Sequence, residues 1–290
     1  MTESESVALP LGDAPIITFI LYMLQKKITS NFYCKLNFYI VDNTYTISYN
    51  HISVTVMKKL RNPFKSLNKF DLALWLSSLV CVTLSFIIAQ STDWWTLATS
   101  LIGVTSLIFA AKGDPFGLII MMGFSLIYTF VSFSFGYYGE CLICLFMQLP
   151  VSTASLITWL KNPYKKGEAE VKVGKLTPKY ALIIAISAIL VTTAFYFILR
   201  AFNTENLIVS TISVATSFIA LFLMALRVPL YSVAFMLNDI VLIVLWSLAC
   251  VRSVGYVPLV VCFSVFLIND LYAFINWSKR KKRQERETAD

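Results

Sequence analysis

Two Asn-Asp pairs, Asn238-Asp239 and Asn269-Asp270, stand inside long apolar stretches of this 290-residue chain. A carboxylate at bilayer depth costs about 3 kcal/mol on insertion scales unless it pairs, protonates or faces water, so such residues default to functional candidates. Asn238 lies nine residues from the start of its stretch at Pro229, and Asn269 eight residues from the end of its own at Trp277. At ~1.5 Å per residue both sit roughly 12–14 Å inside, at one level on antiparallel neighbours. Gln148 adds an amide about 17 Å from the end of its stretch by the same rise. Tyr128, Trp246 and Tyr272 sit deep enough to offer faces on which a planar ring stacks. The alternative use of these groups is to bond one helix to another. Adjacent residues on a helix diverge by about 100°, so one member of each pair can face a path and the other a packed seam.

Other chemistry has less support. The single histidine, His51, falls outside the apolar stretches, and no H-E-x-x-H motif occurs. Asp239 and Asp270 are the one conceivable catalytic pair, and nothing beside them completes a catalytic constellation, so an enzyme is not expected. Cys141 and Cys144 form a C-x-x-C within an apolar run with no second ligand pair, which reads as packing rather than a metal site. No cofactor is called for.

The elements that must hold these groups are eight apolar stretches, at 72–89, 94–111, 115–135, 137–160, 180–199, 206–226, 229–251 and 256–277. Each is long enough to cross a ~30 Å hydrocarbon layer as a helix, and backbone amides in lipid require helices rather than open strands. A hydrophobic content of 58% with 14% charged residues places the chain among polytopic membrane proteins. Its net charge of +8 sits in every second gap: Lys58 to Lys69, Lys112, Lys161 to Lys179, Arg227, and Lys279 to Arg286. The other gaps hold only Arg200 and Arg252. The positive-inside rule then puts both ends of the helical region, and both termini, in the cytoplasm. Lipid contact and orientation account for the basic residues, and nucleic acid is not an expected partner. Trp94, Trp95, Tyr137, Tyr138 and Tyr256 are expected in the outer aromatic belt, and Trp159 and Trp277 in the inner one.

The second to fourth stretches resemble the sixth to eighth. Ser100-x-Ile102-x-Val104 matches Ser210-x-Ile212-x-Val214, Lys112–Pro115 matches Arg227–Pro229, and Gly136-Tyr137 matches Gly255-Tyr256. Each half closes on a tryptophan, Trp159 or Trp277. Both halves end on the basic side, so the repeats are parallel and an odd number of spans separates them. The expected plan is 3+1+3: bundles at 94–160 and 206–277, a linker helix at 180–205, and an extra helix in the segment 57–93. A basic loop at 161–179 and a basic tail at 278–290 complete it.

Several runs resemble the PnuC family of bacterial vitamin and nucleoside transporters. They are Lys112-Gly113-Asp114-Pro115, Tyr137-Tyr138-Gly139-Glu140, Leu149-Pro150 and Ile157-Thr158-Trp159-Leu160, then Asn238-Asp239-x6-Trp246, Asn269-Asp270-Leu271-Tyr272 and Asn276-Trp277. The likeness covers about residues 70–280. It implies an all-α, SWEET-like fold, homotrimers, a bacterial cytoplasmic membrane, and facilitated uptake of nicotinamide riboside that a cytoplasmic kinase traps by phosphorylation. Thiamine, riboflavin and deoxynucleosides are the alternative cargoes of the family. By its pattern Asn238 and Trp246 carry over best as substrate-binding residues and Gln148 less closely, since Phe146-Met147-Gln148-Leu149-Pro150 departs from the aromatic and Gly-Trp pattern of nicotinamide riboside importers. A pyridinium ring would draw on Asp239 or Asp270 for charge and on Trp246 or Tyr272 for a cation–π face. Asn238, Asn269 and Gln148 would bond the ribose, and Tyr128 offers a further stacking face.

Residues 1–56 differ from the rest, being mixed in polarity with one apolar run at 14–23 too short to span. Met57-Lys58-Lys59-Leu60-Arg61 is a basic lead-in to a first membrane helix. We therefore expect translation from Met57, or a dispensable preceding segment. Intact-mass analysis of the protein from its native locus checks this, and a functional requirement for residues 1–56 would refute it.

Overall fold

Every apolar stretch foreseen above forms a helix in the computed structural model, which describes residues 63–91, 93–165, 170–251 and 254–288. All of these lie in one compact unit, residues 59–290; the expectation for residues 1–56 lies outside the described residues. The helices are α1 (Lys69–Ile88), α2 (Trp94–Ala111), α3 (Pro115–Ser134), α4 (Tyr138–Lys161), α5 (Pro178–Ala201), α6 (Leu207–Ala225), α7 (Leu230–Cys250) and α8 (Val257–Glu287). All eight are long and apolar enough to cross a membrane. The α8 helix runs ten residues past Trp277 into the basic tail.

Local signals set the ends. Asn68 and Asp71 form a reciprocal capping box that opens α1. Asp93, Asp114 and Thr177 cap α2, α3 and α5 through their side chains, and prolines at the first turns of α3 and α5 need no donor there. The α2–α3 turn reverses at Gly113 (φ +65°) and the α6–α7 turn at Arg227 (φ +59°). In each, the two amides past the helix end return to its last carbonyls: Gly113 to Ala110 and Asp114 to Phe109, then Arg227 to Met224 and Val228 to Leu223. The structural match of Arg227 is thus Gly113, one residue beyond the Lys112 expected from sequence.

Within the bundle α2 packs on α3, α3 on α4, α6 on α7 and α7 on α8. Between these groups α2 lies against α8, and α4 against α6. The least buried helices are α1 and α5. Helix α5 packs mainly on α6, and α1 on α2 and α8. Polar contacts fix α1 there. Asp71, fully buried, pairs with Lys112 at 2.8 Å and accepts from the Tyr272 hydroxyl. Trp75 donates to Thr105 at 3.1 Å, and Asn269 donates to Ser78 at 3.1 Å.

Trp94 and Trp95 are exposed, as a belt position requires, whereas Tyr137, Trp159 and Trp277, expected in the same belts, are buried. Trp159 and Trp277 pack on each other with centroids 5.3 Å apart. Trp159 Nε1 donates to Met224 O on α6 at 3.3 Å, and Trp277 Nε1 donates to Ala110 O on α2 at 3.0 Å. Carbonyls in a helix's last turn lack intrahelical donors, which is what an indole N–H can supply. A buried partner outcompetes the interface for these two rings.

The segment after α4 closes the basic side. Val171 N donates to Gly113 O and Gly174 N to Arg227 O, so one strand of chain crosses both tight turns. The extension of α8 holds it: Gln284 donates to Val171 O and accepts from Val173 N, and Arg280 and Arg283 pair with Glu170. Burial would raise the Glu170 carboxyl, but Arg283, Arg280 and Gln284 outweigh it and hold it below its ordinary 4.5. A depressed carboxyl adds stability above that ordinary value and loses it as pH falls through the folded one. Thermal stability of the wild type should therefore drop below about pH 4.5 more than that of Glu170→Gln. A Cβ on Gly174 would sit 2.0 Å from Leu226 O, whereas one on Gly123 meets nothing within 4 Å. Gly174→Ala should cost about 1–3 kcal/mol, read as a lowered Tm in detergent, while Gly123→Ala should not lower it.

Candidate functional site

Six helices, α2, α3, α4, α6, α7 and α8, enclose one cavity; α1 and α5 contribute nothing to its lining. Helical periodicity explains the lining. Residues three, four or seven apart share a face, and the cavity takes Met121, Phe124 and Tyr128 from α3, and Phe235, Asn238, Asp239 and Leu242 from α7. From α8 it takes Phe263, Phe266 and Asp270. Helix α4 contributes Glu140, Ile143, Cys144 and Gln148 across a wide π-type turn, Cys144–Gln148. Pro150 follows that turn and lacks the N–H that would bond Phe146 O in a regular helix. The local widening follows from that missing bond, as at other functional π-bulges.

Asn238 is the most defined hydrogen-bonding group. Its Oδ1 accepts from Thr216 Oγ1 at 2.8 Å and Ser217 Oγ at 2.9 Å, both on α6. Two hydroxyl donors on the oxygen fix the amide's orientation and leave its NH2 for other partners. Gln148 contacts Met121 Sδ and Cys144 Sγ, weak partners that leave its amide available. Phe124 and Tyr128 stack 5.2 Å apart at 11°, and Phe266 lies 5.8 Å from Phe124. Space for those rings comes from Gly103, where a Cβ would strike both Phe266 and Phe124.

Three carboxyls line the cavity: Glu140, Asp239 and Asp270, each no more than 3% exposed. Ser213 donates to Glu140 at 2.7 Å. Asp239 and Asp270 lie within hydrogen-bonding reach of each other, and Asp239 Oδ2 is buried with no donor among the described residues. No lysine, arginine or histidine among the described residues lines the cavity. Lys112 and Arg280 are engaged by Asp71 and Glu170. Such a site favours a cation, offers amides to hydroxyls, and presents flat faces to a ring. A metal centre has no donor set, since no cluster of three His, Cys, Asp or Glu occurs among the described residues.

Of the eight residues singled out from sequence, Asn238, Asp239, Asp270, Gln148 and Tyr128 come together here. Trp246 does not touch the cavity. It is fully buried beyond it, donating to the Tyr128 hydroxyl at 3.1 Å within a cluster of Tyr137, Phe135 and Tyr256. Asn269 and Tyr272 are turned toward α1, bonded to Ser78 and Asp71. One helical step of about 100° separates Asn269 from Asp270 and accounts for the difference. Sequence reasoning passed over Glu140, Phe124, Phe263 and Phe266. An acid within an apolar span marked the first, and the spacings 124/128 and 263/266/270 marked the rings.

The cavity holds about 50 Å³, room for a water or two and far short of the ~300 Å³ of a small ligand pocket. The Trp246 cluster adjoins it through Tyr128, whose hydroxyl accepts from the indole. On the basic side Tyr231 lies 5.2 Å from Trp277, which packs on Trp159.

Residues 93–279 match the family model for nicotinamide mononucleotide transporters. A nicotinamide riboside transporter PnuC of Neisseria mucosa is 26% identical over 220 residues, 73% of this chain and 82% of its own. A protein of the same name from Haemophilus influenzae is 21% identical over 231 residues, 79% of this chain and 99% of its own. A crystal structure of the vitamin B3 transporter PnuC superposes with a TM-score of 0.66 at 24% identity, covering 75% of this chain and 94% of the other, which bears on the fold alone. With its eight membrane-length helices and a family match over most of its length, the chain belongs to the nicotinamide mononucleotide (PnuC) transporter family.

Proposed function

We propose that this protein carries nicotinamide riboside across the bacterial cytoplasmic membrane, binding it in the six-helix cavity. The observation that carries this reading is the cavity's chemistry: three carboxyls, two amides and stacked rings, with no cation among its lining residues. The pyridinium would sit against Phe124 and Tyr128 beside the Asp239–Asp270 pair, and the ribose hydroxyls would meet Asn238 and Gln148. A phosphate would meet three acids and no counter-charge, so the riboside fits better than the mononucleotide for which the family model is named. The names of the Neisseria and Haemophilus relatives support the same choice.

The helix arrangement is best described as two parallel three-helix units, α2–α4 and α6–α8, joined by α5. Exchanging the units maps the α2·α8 contact onto α6·α4, and the Trp277–Ala110 bond onto Trp159–Met224. A cavity lined only by those six helices fits binding at the interface of repeats. The basic side is taken as cytoplasmic, where a kinase would trap the substrate and where both ends of the helical region lie. Homotrimers and the absence of catalysis follow the family expectation.

Uptake of labelled nicotinamide riboside, the mononucleotide and a neutral deoxynucleoside into liposomes bearing the purified protein tests the reading. The riboside should enter and the mononucleotide should not. Asp239→Asn should weaken riboside uptake about tenfold more than uptake of a neutral nucleoside, a difference of about 1.4 kcal/mol. Equal loss for both substrates would assign Asp239 a structural role.

A further inference from the structure

We propose that Gly103 on α2 sets the size of the ring that the cavity admits. Bare backbone there lets Phe124 and Phe266 stand back from the cavity, and any side chain would drive them into it. This role rests on the riboside reading above and adds what limits the ring.

A Cβ on Gly103 would lie 2.3 Å from Phe266 Cζ and 2.9 Å from Phe124 Cδ2. Carbon atoms settle at ~3.5–4.0 Å. Seating a methyl would therefore shift the Phe266 ring by about 1.2 Å, the difference between ~3.5 Å and the 2.3 Å approach. Both rings line the cavity, as do Ser106 and Leu107, which share a face of α2 with Gly103. Other directions are taken. Tyr128 stacks on Phe124, and its hydroxyl accepts from Trp246. Phe263 lies 5.4 Å from Phe266 and 5.9 Å from Tyr128. Displaced rings therefore advance into a space of only about 50 Å³, which must already widen to hold a ligand.

The rings, not the helix, call for glycine at this position. In a helix interior glycine is less favourable than alanine by about 1 kcal/mol. A Cβ on Gly117 would strike α2 backbone at Ala110 N and Ser106 O, so Gly117 serves helix packing, and Gly123 meets nothing within 4 Å. The nearest atoms to Gly103 are instead the tips of two side chains, both at the cavity. In the matching runs of the two halves Gly103 stands where α6 has Ser213, whose hydroxyl donates to Glu140. The position thus carries a side chain in the half that holds an acid and none in the half that backs the rings. A ring of pyridine size uses the recess so kept. A fused two-ring base needs more depth, which truncating Phe266 supplies.

Liposomes bearing purified wild type, Gly103→Ala, Phe266→Leu and the double variant test this with labelled nicotinamide riboside and inosine, a purine nucleoside. Gly103→Ala should raise the half-saturating riboside concentration about tenfold and leave the maximal rate within about twofold, the pattern of lost binding. Adding Phe266→Leu to it should bring that concentration back to within about threefold of wild type. The wild type should carry inosine about tenfold less well than the riboside, and Phe266→Leu alone should remove that difference. Unchanged half-saturation in Gly103→Ala, no recovery in the double variant, or equal transport of inosine by the wild type would overturn the ring seat and leave riboside transport in place. If Gly103→Ala fails to fold, Phe266→Leu decides alone: lost discrimination against inosine supports the seat, and unchanged discrimination refutes it. No riboside uptake by the wild type would overturn the functional reading and this inference together.

Discussion

Acidic side chains at membrane depth are tolerated only where protein encloses them, and that requirement orders this bundle from the inside outward. Asp239, Asp270 and Glu140 are all but inaccessible, yet no basic residue among the described ones joins them in the cavity. Six helices converge on that point. The two that do not, α1 and α5, are also the least buried. A fourth buried acid, Asp71, shows the opposite solution, an ion pair with Lys112 near the basic side. One acid is satisfied by a fixed partner and fastens a peripheral helix. The cavity acids lack a fixed cation, which is the condition under which a mobile one can be bound and released.

Much of the fold was legible because bilayer thickness limits span length and lysine and arginine mark one side of the membrane. The starts expected at 115 and 180 agree with the observed Pro115 and Pro178 to within two residues. The site was only partly legible, and rotation about each helix is the reason. Periodicity states which residues share a face but not which face turns inward. On α7 both members of Asn238-Asp239 reach the cavity, whereas on α8 only Asp270 does and Asn269 bonds Ser78. The outer helix α1 decides this, because it offers polar partners to one flank of α8. Nothing local to Asn269 or Tyr272 encodes that neighbour.

The tryptophans illustrate a second limit. A tryptophan near a span end reads as an interfacial anchor, because the ring suits a wet, amphipathic layer. Trp159 and Trp277 instead meet each other, and each bonds a carbonyl at the end of a helix from the other triplet. The matching runs of the two halves of the sequence put them at equivalent positions. Their shared role, joining the triplets, depends on a contact between residues 118 apart that composition cannot reveal.

The packing on the two sides of the cavity differs in kind. Toward the basic side, the tryptophan pair is backed by the loop across Gly113 and Arg227 and by the α8 extension, with Glu170, Arg280, Arg283 and Gln284 interlinked. Opening there must break several hydrogen bonds and ion pairs together or move the loop as one piece. On the other side lies a cluster of rings around Trp246, whose indole donates to Tyr128 and in which the Tyr137 hydroxyl accepts from Asn206. Ring contacts are individually weak and re-form in many geometries. Tyr128 also stacks on Phe124 inside the cavity, so a substrate ring that displaces Phe124 disturbs the hydroxyl that holds Trp246. Under the proposed binding mode, occupancy would be coupled to the ring cluster through Tyr128, and to the basic side through α8, which carries both Asp270 and Arg280.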